Sequence, residues 1–177
     1  MITLALLKYD EMDSPIGPLT LGMVGEGASA KLCQIEFGAF HEAEDKLRAW
    51  SKRWYGETEW RHDPGHLAPA AEQLREYFAG IRTSFDLPLE LRGTTFQQKV
   101  WQALMDIPYG QACSYRDIGY RIDAPKAVRA VGGANHNNPV PIIVPCHRVI
   151  GASGAMVGYG GGLQIKTFLL QLEGFPV

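Results

Sequence analysis

Residues Pro145-Cys146-His147-Arg148-Val149-Ile150 set a thiol, an imidazole and a guanidinium side by side, directly after an apolar run. A buried cysteine is ordinarily a small hydrophobe, whereas a reactive one needs positive charge, a helix N-terminus or a partner base to favour its thiolate. His147 and Arg148 are candidates for that help. Ile142-Ile143-Val144 reads as a buried strand bracketed by Pro141 and Pro145, which would present Cys146 at the strand's edge. Adjacent residues of an extended chain point to opposite sides, so Cys146 and His147 can cooperate only if the chain turns there or a water bridges them.

The helices and strands around this stretch can be read from local patterns. Thr3 to Tyr9, Leu19 to Val24 and Ala30 to Glu36 alternate or run apolar, with a turn at Ser14-Pro15-Ile16-Gly17-Pro18, and predict three antiparallel strands. Phe40, Ala43, Leu47, Trp50 and Trp54 recur at helical spacing through His41 to Trp54. A second helix is expected from about Leu67 to Ala79, ended by Gly80. Leu87, Leu89 and Leu91 alternate through Asp86 to Arg92, as either a strand or an extended linker into the second half.

Thr94 and Thr95 precede Gln97 and Gln98 at capping-box spacing, and Phe96, Val100, Trp101, Leu104 and Met105 supply the core face of a helix stopped by Pro108. Ser114-Tyr115-Arg116-Asp117 is another N-cap signature, opening a helix to about Ile122. Asp123-Ala124-Pro125 makes a tight turn, with Pro125 suited to the first turn of a helix over Lys126 to about Asn135. Two short helices joined by a three- or four-residue turn have the shape of a helix-turn-helix.

The second helix of that pair, Lys126-Ala127-Val128-Arg129-Ala130-Val131-Gly132-Gly133-Ala134-Asn135, has few long polar side chains with which to read a major groove. Each interior glycine costs roughly 1 kcal/mol against alanine, so close approach matters there. Either the small residues form a slim surface for a minor groove, with Arg129 as the long projection, or they pack against another helix. On the first alternative contacts would be largely independent of sequence, and acting on a base would require extracting it from the stack. Arg129 could then fill the vacated stack, and Tyr115 could crowd the phosphate of the turned-out nucleotide.

With 177 residues the chain can bury a real core as one domain or two small ones. The Met1 to Leu7 run is too short for a secretory signal, and no stretch would span a membrane. Cys33, Cys113 and Cys146 are widely separated and odd in number, which argues against disulfides and structural zinc and for the reducing cytoplasm. Residues 1–90 carry nine Lys/Arg and fifteen Asp/Glu, net -6, whereas residues 91–177 carry eight and four, net +4. That asymmetry is the mark of a basic contact surface on an acidic scaffold.

Taken together, Thr95-Phe96-Gln97-Gln98 with Val100-Trp101, Ser114-Tyr115, Ala130-Val131-Gly132-Gly133-Ala134, Asn138-Pro139, Pro145 to Val149, Gly158-Tyr159, and Gly161-Gly162-Leu163 with Lys166 stand in the order of a known set of motifs. They resemble those of the O6-alkylguanine-DNA alkyltransferases, also called methylated-DNA:protein-cysteine methyltransferases. The opening Ser14-Pro15-Ile16-Gly17-Pro18-Leu19 looks like the bacterial branch.

The resemblance implies an α/β (α+β) protein. Residues 1–90 would be a ribonuclease H-like domain with a three-stranded antiparallel sheet and helices, and residues 91–177 a mainly helical domain with the helix-turn-helix. It implies direct-reversal repair: an alkyl group passes irreversibly, once per protein, from O6-alkylguanine, and from O4-alkylthymine as well, after minor-groove binding and base flipping. Cys146 would accept the alkyl group, His147 would take its proton through a water, and Glu173 would orient and charge the imidazole. Asn138 would hold the active-site turn, Tyr115 would rotate the nucleotide and hydrogen-bond the departing purine, and Lys166 would support the site near Tyr115. Tyr159, Val149, Gly160 and Asn135 would contact the base, while Arg129, Tyr115, Ser114, Ala127, Ala130 and Gly132 would contact DNA. The expected partner is double-stranded DNA containing O6-alkylguanine, bound by a monomer, with cooperativity left open and no cofactor, metal or membrane involved.

The chemistry agrees with those roles. A thiolate is a soft nucleophile suited to displacement at a saturated carbon, and the thioether it forms offers water no carbonyl to attack. The sequence departs from the family at Gly160, where Ser or Ala is frequent, and at Gln164-Ile165, where a charged pair is frequent. Two other readings remain: a Cys-His hydrolase, which would turn over, and a regulatory DNA-binding module, whose binding would survive Cys146→Ser.

Overall fold

The computed structural model describes residues 4–177, so the expected first strand starts outside the described residues at Thr3. The chain divides into two units, Met1–Arg92 and Gly93–Val177, each with its own interior.

The first unit is built on a sheet of β1 (Ala5–Met12), β2 (Leu19–Val24), β3 (Lys31–Phe37) and β4 (Thr58–His62), in the order β3-β2-β1-β4. β1, β2 and β3 pair antiparallel, but β4 lies parallel to β1. The expected three-stranded antiparallel sheet is therefore a four-stranded mixed one. Thr-Glu-Trp-Arg-His buries only Trp60, and a short edge strand with charged neighbours leaves little periodic signal.

Helices cover both faces of this sheet, which is why β2 is buried almost continuously instead of alternating. Leu7, Cys33 and Trp60 pack with Ala43 and Leu47 of α1 (Phe40–Tyr55). The next residue of β1, Lys8, points to the other face, where its ammonium lies 3.4 Å from the His66 ring of α2 (Pro64–Phe78). Asp63 caps α2, and Leu67, Ala70, Ala71, Leu74 and Tyr77 form its buried stripe. Leu89 bridges in parallel to Leu32 of β3, so the Asp86 to Arg92 segment is extended chain tied to the sheet at a single rung.

In the second unit α3 (Thr95–Met105) starts with the expected capping box between Thr94 and Gln97. Its Trp101 is buried, and the indole N–H donates to Ala134 O at 2.8 Å. α4 (Tyr115–Arg121) is capped by Ser114 with Asp117 in reciprocal position. α5 (Val128–His136) starts later than expected: Lys126 and Pro125 lie in the connection, so Pro125 does not open the helix. The connection runs over residues 122–127, longer than a three- or four-residue turn, and takes Asp123 through φ +59°. A short parallel pair, β5 (Cys113–Ser114) with β6 (Val149–Ile150), and α6 (Leu163–Leu172) complete the unit.

Candidate active site

The apolar run before the cysteine is buried but is not a strand. Residues 141–144 form a turn in which Val144 N donates to Val140 O at 2.9 Å and Ile142 takes φ +76°. A β-branched residue in the left-handed region is strained and persists only where its surroundings over-determine it. Asn138 supplies that constraint, accepting from Val140 N at 3.0 Å and donating to Val144 O at 2.8 Å. Periodicity cannot separate a short buried strand from a short buried turn, because both are simply apolar.

After Pro145 the chain enters one 3-10 turn, Cys146–Arg148. The turn removes the opposition between neighbouring side chains that an extended backbone would impose. Cys146 is 4% exposed and His147 fully buried. Burial raises the Cys146 thiol to about 11, while the Asn138 side chain, the Lys166 ammonium and the Tyr159 hydroxyl act in the opposite sense. A thiol held protonated at rest requires a base to take its proton during reaction.

The imidazole that follows in the same turn, His147, is the candidate. Its Nε2 lies 2.7 Å from Glu173 Oε2, at the C-terminal end of α6, and its Nδ1 has no hydrogen-bond partner among the described residues. Arg148, expected beside the thiol, is bound to Glu173 instead. Its Nε donates to Oε1 at 2.8 Å, its Nη2 to Oε2 at 3.1 Å and its Nη1 to Ile107 O at 2.6 Å. Breaking one side of a buried ion pair costs roughly 3–5 kcal/mol, so this fork is also structural.

Lys166 is fully buried, and burial lowers its ammonium to about 8. It donates to Val149 O, to Val157 O at 2.8 Å and to Gly158 O at 3.5 Å, so its N–H groups tie the glycine-rich loop over residues 151–162 to β6. The Tyr115 hydroxyl meets the same two loop carbonyls at 3.3 and 3.5 Å, with its ring 6.0 Å from the Lys166 ammonium. Val149 is buried and its carbonyl is occupied by Lys166. Tyr159 is half-buried, and Gly160 is exposed on the same loop. A side chain at Gly160 would meet only His136 O at 3.8 Å, an ordinary contact, so packing does not explain the glycine.

Asn135, expected at the base, is buried behind the cysteine, where its amide donates to Cys146 O at 3.3 Å. The opposite face of α5 is open: Arg129, Ala130 and Gly133 are exposed and Gly132 half-exposed. A Cβ on Gly132 or Gly133 would meet nothing within 4 Å, so packing against another helix is not what these glycines serve. Ala127 flanks α5 as its N-cap, and Ser114 is occupied in capping α4. Two arrangements were not legible from residue types: the Arg148–Glu173 fork and the bond from Asn135 to the Cys146 carbonyl. Each joins residues far apart in sequence, and only the polarity of a residue inside an apolar pattern could have hinted at burial with a partner. Among the described residues no cluster of His, Cys, Asp and Glu could hold a metal ion, and no helix is long and apolar enough to cross a membrane.

Comparison with known proteins gives one consistent result. Residues 7–91 match the family model described as 6-O-methylguanine DNA methyltransferase, ribonuclease-like domain, and residues 95–175 the model of its DNA binding domain. The methylated-DNA–protein-cysteine methyltransferase of Mycobacterium tuberculosis is 49% identical over 168 residues, spanning 95% of this chain and 93% of that protein. The constitutive enzyme of that name from Bacillus subtilis is 58% identical over 117 residues, 66% of this chain and 70% of that protein. Among solved structures, M. tuberculosis O6-methylguanine methyltransferase superposes with a TM-score of 0.79 at 49% identity, covering 94% of this chain and 92% of that one. The M. tuberculosis protein in complex with DNA gives 0.76 at 48% identity, covering 95% and 92%.

Proposed function

Because the chain belongs to the 6-O-methylguanine DNA methyltransferase family, we propose that Cys146 is the alkyl acceptor of a direct-reversal repair reaction and His147 its base. The activity is transfer of an alkyl group from DNA to a protein cysteine, and DNA is the partner. The observation that carries the residue assignment is the His147 ring, bound through Nε2 to Glu173 at 2.7 Å, with Nδ1 unpaired among the described residues, in the same tight turn as the thiol.

The reaction begins with the Cys146 proton passing through a water to Nδ1 of His147, whose new charge is met by Glu173. The sulfur then attacks the alkyl carbon of O6-alkylguanine in line; the S–C bond forms as the C–O6 bond breaks, and the pair of electrons leaves on the purine. Tyr115 donates to that purine as its negative charge develops, having given up its loop carbonyls. Asn138 and Asn135 hold the nucleophile's turn, and Lys166 keeps the loop bearing Tyr159 and Gly160 in place. The thioether product has no electrophilic carbonyl for water to attack, so each protein molecule reacts once.

DNA reaches the site by way of α4 and α5 acting as a helix-turn-helix on the minor groove. Arg129 replaces the flipped base in the stack, while Ala127, Ala130 and Gly132 allow the helix to approach closely. Support comes from the open glycine face of α5 and the basic balance of residues 91–177. We assign the protein to the cytoplasm, where three free cysteines are stable, and expect a monomer acting on O6-alkylguanine and, more slowly, O4-alkylthymine. Incubation with a duplex bearing O6-methylguanine should add one methyl group to the intact mass, mapped to the Cys146 peptide. Repeated release of free product without a protein adduct would instead indicate a turning-over hydrolase.

A further inference from the structure

We propose that Arg148 is a positioning residue for alkyl transfer: by gripping both oxygens of Glu173 it determines which nitrogen of His147 carries the hydrogen, leaving Nδ1 as the proton acceptor. The inference rests on the reading that His147 takes the Cys146 proton.

Donors surround both oxygens of the Glu173 carboxylate. Glu173 Oε2 faces His147 Nε2 at 2.7 Å and Arg148 Nη2 at 3.1 Å, and Oε1 faces Arg148 Nε at 2.8 Å and Gly110 N at 3.4 Å. A carboxylate offers about four acceptor positions, and a guanidinium or amide N–H can only donate. The fork therefore requires an ionised Glu173, which leaves Nε2 no role except donor. The neutral imidazole has a single hydrogen; if it is on Nε2, the lone pair is on Nδ1.

Arg148 also settles the charge of the ring. Glu173 and Arg148 together are neutral, so protonating His147 would place a net positive charge in a buried site that also holds Lys166. Without the guanidinium, Glu173 alone would draw a proton onto the imidazole and the base would be spent. The charged groups acting on the ring are Glu173 and Lys166 from the α6 side and Arg148 in its own turn, which Cys146 opens; Tyr109, after α3, faces Arg148 and Glu173. Burial lowers the His147 basicity, Arg148 and Lys166 act in the same direction, and Glu173 opposes them.

Two measurements test this. Nitrogen-15 NMR of the unmodified wild-type protein at neutral pH should show His147 neutral with its hydrogen on Nε2; a hydrogen on Nδ1, or an imidazolium, overturns the proposal. The rate of alkyl transfer from free O6-benzylguanine should then be followed against pH in wild type, Arg148→Lys and Arg148→Met. The rising limb, where His147 loses its proton, should move up by roughly one to three pH units in Arg148→Met, the usual effect of removing a nearby charge. Arg148→Lys should lie between. A variant profile lowered uniformly with its rising limb unmoved means that Arg148 is only structural, and overturns the proposal. If Arg148→Met fails to fold, the lysine variant and the wild-type spectrum still decide. Failure of the wild type to form any cysteine adduct would remove the alkyl-transfer reading itself, a result separable from the tautomer.

Discussion

Each unit buries a cysteine near a glutamate–arginine pair. Cys33 lies within β3, fully buried, its thiol directed at Gly22 O 3.6 Å away, while Tyr55 donates to Glu90 and Arg92 holds that carboxylate at 3.3 Å. Burial pushes the Cys33 thiol far up and the Glu90 charge adds to the effect, with Tyr55 opposing. Cys146 is also buried, but it opens a tight turn, Asn138, Lys166 and Tyr159 favour its thiolate, and an imidazole follows it in the chain. An ion pair nearby therefore does not make a thiol reactive. An imidazole in the same turn, and polar groups that favour the thiolate, are what separate the two.

The strongest way to break this contrast is substitution. Cys146→Ala should eliminate the covalent adduct completely in intact-mass measurements. Cys33→Ala should leave adduct formation at the wild-type rate and cost about 1 kcal/mol of stability in urea titrations, from lost packing. An adduct on the Cys33 peptide would erase the distinction.

Thiol labelling sharpens it without mutation. Cys33 should label in the native state only through global opening, roughly a thousandfold or more slower than in denaturant. Cys146, next to the exposed 151–162 loop, should label faster than Cys33 and be protected once alkylated.

The smaller effects lie on the open face of α5, a helix that carries neither cysteine. Arg129→Ala should slow repair of duplex substrate by roughly tenfold, about 1.4 kcal/mol, while leaving reaction with free O6-benzylguanine unchanged. Equal losses on both substrates would place Arg129 in the chemistry and not in extraction. The smallest effect is expected at Gly132→Ala. Nothing in the free protein obstructs the added methyl group, so the helix should gain up to about 1 kcal/mol, while duplex binding weakens a few-fold. Unchanged affinity, measured by fluorescence anisotropy at fixed salt, would argue against close approach of this face to DNA.

What was legible was local. The Thr94 and Ser114 caps lie within three residues of the groups they satisfy, and both occur where the pattern predicts. The amphipathic stripe of α1 needs only its own 3.6-residue period. The motif order from Thr95 to Lys166 led to the family directly, since residue types and spacing are all that such a match requires. β4 leaves no signal because one buried tryptophan makes no pattern, and Ile142-Ile143-Val144 reads as a strand where the chain turns because apolar character reports burial and not backbone direction.

The residue order alone was enough for the mixed α/β class, for Cys146 with its neighbouring imidazole as the candidate chemistry, and for the polarity of charge along the chain. Only the tertiary structure decided that Arg148 serves Glu173 instead of the thiol, that Asn135 supports the Cys146 carbonyl, and that the glycines of α5 face open space. The reason is geometric: a side chain's type states what it can donate or accept, but its partner lies wherever the folded backbone brings a complementary group within about 3 Å. For Arg148 that group is 25 residues away in the chain, at the far end of another helix.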